Sequence, residues 1–142
     1  MTLTFNEERH QYTYNGGLVP GVTEILTDVY GNKLEHVDPV VLAKASELGR
    51  RVHRMIELHI MGEVTIDNVE FDLVDYMGAW EEFRARSGFE PLLSEYRVYS
   101  KKYGYAGTLD LFGRLNGEFV LPDIKRVTAV PETAGMQTAV YL

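Results

Sequence analysis

Apolar and polar residues alternate along Leu92–Ser100, with β-branched and aromatic side chains among them, and this pattern predicts a strand. Tyr105–Arg114 and Glu118–Lys125 predict two more strands, and Asn116-Gly117 between them is a hairpin turn signal. The chain before this stretch is mainly helical. Val22–Tyr30 predicts a short helix ended by Gly31. Asp38-Pro39 marks the start of a longer helix, with Asp as N-cap and Pro at the first helical position. That helix is expected to run to about Met61 and to stop at Gly62. A further helix is expected over Val69–Arg86, ending at Ser87-Gly88. At the N-terminus Leu3–Phe5 and Tyr12–Tyr14 predict short strands, with Asn15-Gly16-Gly17 as turn chemistry. Pro131 begins a last helix that carries Gln137 and Tyr141. Helices, then three strands, then a helix imply an α/β (α+β) class, with a small central sheet flanked by helices. At 142 residues the expected organisation is one domain, residues 1–142.

Composition narrows the chemistry. A chain of this length buries a core without disulfides or a structural metal. The absence of cysteine excludes a disulfide framework, a thiolate zinc site, an iron–sulfur cluster and a cysteine nucleophile. No apolar run reaches the length of a membrane span. The opening Met-Thr-Leu-Thr-Phe-Asn-Glu-Glu has neither the basic start nor the apolar core of a signal peptide. The expected location is the cytoplasm of the host cell, with no membrane association. A net charge of −7 speaks at first against a nucleic-acid partner. The acids are concentrated, however. Residues 63–95 hold nine acids and two bases, which is the whole net charge, while small basic groups stand elsewhere: Arg50, Arg51 and Arg54; Lys101 and Lys102; Lys125 and Arg126. A site for divalent cations also needs acids.

Asp110 and Asp123 are expected near the ends of two strands joined by the Asn116-Gly117 hairpin, where antiparallel pairing brings such positions side by side. Two adjacent carboxylates repel unless a cation neutralises them, and oxygen ligands suit Mg²⁺ or Mn²⁺. Asp123-Ile124-Lys125 is expected on a strand, so Lys125 shares a face with Asp123. A lysine there either stabilises negative charge at a reacting phosphate or simply pairs with Asp123. Gly107, inside a strand, marks a close backbone approach beside Asp110 or a bulge.

Four ordered motifs, Gly49-Arg50-Arg51-Val52-His53, Gly107-Thr108-Leu109-Asp110, Asp123-Ile124-Lys125 and Gln137-Thr138-Ala139-Val140-Tyr141, make the chain resemble the RecB-like, phage-exonuclease branch of the PD-(D/E)XK nuclease superfamily. Pro20-Gly21-Val22-Thr23-Glu24 resembles a segment near the start of phage members. The resemblance runs from about residue 20 to the end and implies a restriction-endonuclease-like core with a small mixed sheet. It implies a metal-dependent deoxyribonuclease, an exonuclease of phage or prophage recombination or repair, with DNA as substrate. It implies Mg²⁺ as cofactor, with Mn²⁺ able to substitute, held by His53, Asp110, Asp123 and the Ile124 carbonyl. Lys125 corresponds to the catalytic lysine, acting with Asp110 and Asp123. Glu95 falls at the early-strand position where many such proteins carry a glutamate, the alternative being a strand end in solvent. Gln137 and Tyr141 share a helix face that helps bind or position DNA, the alternative for Tyr141 being core packing, and Arg126 either contacts a phosphate or disturbs the site. Glu57, one turn beyond His53, either orients that histidine or forms a plain helix-surface pair. Such proteins continue past the Gln-x-x-x-Tyr helix, so the C-terminal part of the usual fold is expected to be missing after Leu142. A homo-oligomer or a recombination partner protein is then a further expectation. The rival reading is a catalytically silent nuclease fold that binds DNA or protein.

Overall fold

A computed structural model describes residues 1–31 and 35–125 of the chain. Among them the architecture is mixed α and β, with three α-helices and two separate three-stranded sheets. The first sheet comprises β1 (Leu3–Asn6), β2 (Gln11–Tyr14) and β3 (Gly17–Val19) in that order, both pairings antiparallel. Asn15 and Gly16 turn the chain between β2 and β3 at φ 50° and 84°, conformations that asparagine and glycine accept readily. β3 is a strand that the sequence pattern did not reveal. The helices are α1 (Val22–Tyr30), α2 (Pro39–Ile60) and α3 (Val74–Ser87), and the second sheet has the order β4 (Glu90–Ser100), β5 (Tyr105–Leu115), β6 (Glu118–Val120). The last helix expected from Pro131 lies outside the described residues. Among these residues no helix is long and apolar enough to cross a membrane.

The chain forms two compact units. One takes in residues 1–31, 35 and 96–109, with Tyr12, Val22, Ala106 and Leu109 buried. Within it Gly21 bridges Ala106 in parallel fashion, and the Ala106 amide donates to the Pro20 carbonyl at 2.9 Å. The Tyr12 hydroxyl lies 2.8 Å from Thr108 Oγ1.

The other unit takes in residues 36–95 and 110–125. Its core joins Val52, Met55 and Ile56 of α2, Leu73, Met77 and Trp80 on and before α3, Phe89, and Leu111 of β5. The α2 residues recur at helical spacing, so one face of the helix is apolar. Asp38 caps that helix by accepting from the Val40 and Val41 amides at 2.8 and 3.3 Å. The Trp80 indole donates to His59 Nδ1 at 3.0 Å, so His59 is a structural tie between α2 and α3.

Two element boundaries differ from expectation by more than two residues. The helix expected from Val69 begins as a 3-10 turn at Phe71–Leu73 and becomes α-helical only at Val74. Arg51 explains this. Its guanidinium holds Asp72 through bonds of 2.6 and 2.8 Å and also pairs with Glu70, fixing residues 70–72 against α2. The last expected strand, Glu118–Lys125, ends at Val120. Pro122 has no amide to donate to a ladder, so residues 121–125 carry no regular structure.

Gly113 is where β5 needs a glycine for space. A Cβ there would overlap the Glu90 carbonyl oxygen and lie 2.6 Å from two ring carbons of Phe89. Gly113→Ala is expected to destabilise the protein by about 1–3 kcal/mol or more, as overpacking of a rigid site does. Gly49→Ala, where nothing lies within 4 Å of the added carbon, serves as the control and should not be destabilising. Urea unfolding of the two variants makes the comparison, and equal midpoints would mean that β4 yields freely.

Candidate metal centre

The site is built within the second unit on three supports. Val52, Met55 and Ile56 anchor α2 in the core, and this places His53 on the adjoining face with its side chain about 29% exposed. β5 carries Asp110, and its neighbour Leu111 faces the core. β4 carries Glu95, which adopts φ 47°. Glutamate enters this left-handed region at a cost of roughly 1 kcal/mol or more. The strain falls on the residue whose carboxylate reaches His53.

His53 Nδ1 lies 2.8 Å from Glu95 Oε1 and 3.7 Å from Asp110 Oδ1. One ligand atom from each of His53, Glu95 and Asp110 can be chosen so that all lie within 4.8 Å of one another, a spacing that could hold a cation. The 123–125 segment adds to these three supports. The register of β5 with β6 runs Leu115 to Glu118, Arg114 to Phe119, Gly113 to Val120. Three further steps would set Asp110 opposite Asp123. The ladder stops before that point, and a side-chain bond takes over: the Ile124 amide donates to Asp110 Oδ2 at 2.7 Å. The Ile124 side chain packs against the apolar core. Asp123 and Lys125 flank it, with Lys125 Nζ 2.6 Å from Asp123 Oδ2. They meet although the segment is not the strand expected. That pair is ionic without hydrogen-bonding alignment, since Asp123 Oδ2 is buried and receives no hydrogen bond among the described residues.

The electrostatics reflect the crowding of acids. Burial pushes the Asp110 carboxyl up to about 6, and the charges of Asp123 and Glu95 push the same way, against His53 and the Ile124 amide. Burial lowers the proton affinity of His53, but the hydrogen bond to Glu95 and the charges of Asp110, Glu95 and Asp123 outweigh it, so its pKa lies above the ordinary value. Both groups therefore hold a proton more tightly than usual, and a bound cation would compete with it.

The donor set suits a divalent cation. It offers carboxylate oxygens and one imidazole, and Asp123 adds a buried carboxylate oxygen that the Lys125 ammonium faces at 2.6 Å. His53, Glu95 and Asp110 come together, and Asp123, Ile124 and Lys125 join them through the amide of Ile124. Of the two readings of Glu57 the helix-surface pair holds: its carboxylate pairs with Arg54 at 2.6 Å, one turn back on α2, and Glu95 holds His53 instead. Arg54 stands three residues back on the same helix face, within easy reach of that carboxylate. Two of the basic group on α2, Arg51 and Arg54, are thus paired with acids. Arg126, Gln137 and Tyr141 lie outside the described residues. Gly113 escaped sequence reasoning, although a glycine within a strand was the available signal. Against this geometry, no protein-family model, no curated protein and no solved structure matches the chain.

Proposed function

We propose that the chain is a divalent-metal-dependent deoxyribonuclease of the PD-(D/E)XK type, with the second sheet and its flanking helices as the restriction-endonuclease-like core. The observation that carries this reading is the convergence of His53, Glu95 and Asp110 within 4.8 Å, from positions 42 and 57 residues apart along the chain. The four ordered motifs supply the reaction class. His53, Glu95, Asp110 and Asp123 would hold Mg²⁺ or Mn²⁺. The bound ion supplies Lewis acidity toward a phosphoryl oxygen and neutralises developing charge. The chain's own contributions are distinct. Glu95 fixes the orientation of the His53 ring. The Ile124 amide fixes the Asp110 carboxylate. Lys125 brings a positive charge beside Asp123, placed to stabilise the excess negative charge of a five-coordinate phosphorus. Family resemblance favours attack on DNA ends over internal positions.

Digestion of end-labelled linear and closed circular DNA tests the reading, with Mg²⁺, Mn²⁺ or EDTA. Metal-dependent shortening of linear DNA is expected, with circles spared. Binding without cleavage in any metal would leave a silent nuclease fold in its place.

Cation binding should also follow pH. Asp110 and His53 each hold a proton more tightly than usual in the metal-free protein, and a cation must displace both. Affinity is therefore weak below about pH 6, where both are protonated, and rises as they titrate. Mn²⁺ binding should weaken roughly tenfold or more between pH 7.5 and 5.5, with proton uptake by buffer seen in calorimetry. A pH-independent affinity would remove His53 and Asp110 from the ligand set.

A further inference from the structure

The stretch Tyr96–Leu109 carries three bases (Arg97, Lys101, Lys102), four tyrosines (Tyr96, Tyr99, Tyr103, Tyr105) and no acid, within a chain of net charge −7. Lys101–Gly104 form the turn that joins β4 to β5. The turn is well built. The Gly104 amide donates to the Ser100 carbonyl at 2.8 Å, the Tyr103 amide donates to Ser100 Oγ at 3.2 Å, and Gly104 takes φ 70°. Tyr103 is thereby held at the turn with 65% of its surface exposed. Its ring lies nearly parallel to that of Tyr105, at 9° and 6.2 Å between centroids, and Lys102 Nζ stands 4.7 Å from the Tyr103 centroid.

We propose that this hairpin binds single-stranded nucleic acid, with Tyr103 and Tyr105 as a stacking platform for bases and Lys101 and Lys102 as phosphate contacts. An exposed aromatic ring flanked by cations matches what an unpaired strand offers, a base face beside a phosphate. A duplex keeps its base faces stacked inside, so it can use the lysines but not the rings. An acidic peptide likewise has no need of parallel rings. The proposal stands on this unit's own residues and does not depend on the metal centre.

The test is fluorescence anisotropy with a labelled oligothymidylate of about 20 nucleotides, longer than the roughly 4–16 that one small domain covers. EDTA is present throughout, so that cleavage plays no part. Tyr103→Ala should weaken binding about fivefold or more, while Tyr103→Phe restores it. The indole introduced by Tyr103→Trp should be quenched on binding. Lys101→Ala with Lys102→Ala should lower the salt slope by about 0.7 per lysine. Lys44→Ala on α2 removes a single positive charge elsewhere, the charge lost at each of Lys101 and Lys102, and should change little. Unchanged binding by Tyr103→Ala with no quenching of the indole would overturn the proposal. So would equal loss from Lys44→Ala, equal affinity for duplex, or competition by polyglutamate as effective as by the oligonucleotide. A protein that binds the oligonucleotide in this way yet never cuts DNA would leave this inference standing and remove the nuclease reading alone.

Discussion

Asp110→Asn is expected to abolish cation binding and cleavage while making the metal-free protein more stable. Asparagine keeps the volume of aspartate and an oxygen to accept from the Ile124 amide. It loses the anionic donor at the centre of the cluster. Removing residues that merely support a ligand costs about 10–100-fold in metal affinity, so loss of a ligand should cost at least that. The stability effect has the opposite sign. The folded pKa of Asp110 is about 6, above its ordinary 3.8. A group raised in this way favours the fold fully below the lower value and loses that contribution as pH climbs through the higher one. At pH 7.5 the ionised carboxylate therefore opposes folding, by about 1–3 kcal/mol, and the neutral amide relieves it. The variant should melt a few degrees higher than the parent in EDTA, and Mn²⁺ should stabilise only the parent. A more stable protein with its activity lost is the signature of a residue kept for function. Unchanged Mn²⁺ affinity in a folded Asp110→Asn protein would dismiss this metal site.

Lys125→Ala is expected to lower turnover by roughly 10²–10⁴-fold, the range found when a charge-stabilising group is removed from a transition state. Mn²⁺ binding should be kept or tightened, because the ammonium of Lys125 and a divalent cation compete for the carboxylate of Asp123. Removing one positive charge leaves the other a stronger field. Calorimetry and single-turnover cleavage separate the two quantities. A loss of Mn²⁺ affinity would show that Lys125 organises the site instead of acting on substrate. Near-normal turnover would pass the role to another cation, with Arg126 next along the chain.

Local signals alone determined much of this protein. α1 and α2 occupy the spans expected because an Asp-Pro start and glycine stops act over four or five residues, whatever surrounds them. The Asn116-Gly117 turn and the ends of β5 follow from the same short-range physics. Pro122 was equally local, and its missing amide is enough to end β6 early. The ordered motifs held His53 and Asp110, while Glu95 stood out only by its early-strand position, with a strand end in solvent as the alternative.

What only the tertiary structure decided is which charges meet. Glu57 is a helical turn from His53, yet it belongs to Arg54, while His53 is held by a glutamate 42 residues away. The start of α3 depends on Arg51 reaching Glu70 and Asp72 across the unit. Gly113 is required by a carbonyl and a ring that sequence distance places more than 20 residues off. Charge pairing falls off with distance in space, and spacing along a chain fixes that distance only within one helix or strand. Across elements it is set by how the apolar core packs, with Ile124 as the instance here: its packing against the core turns the amide to Asp110 and leaves Asp123 and Lys125 beside each other without a strand to align them.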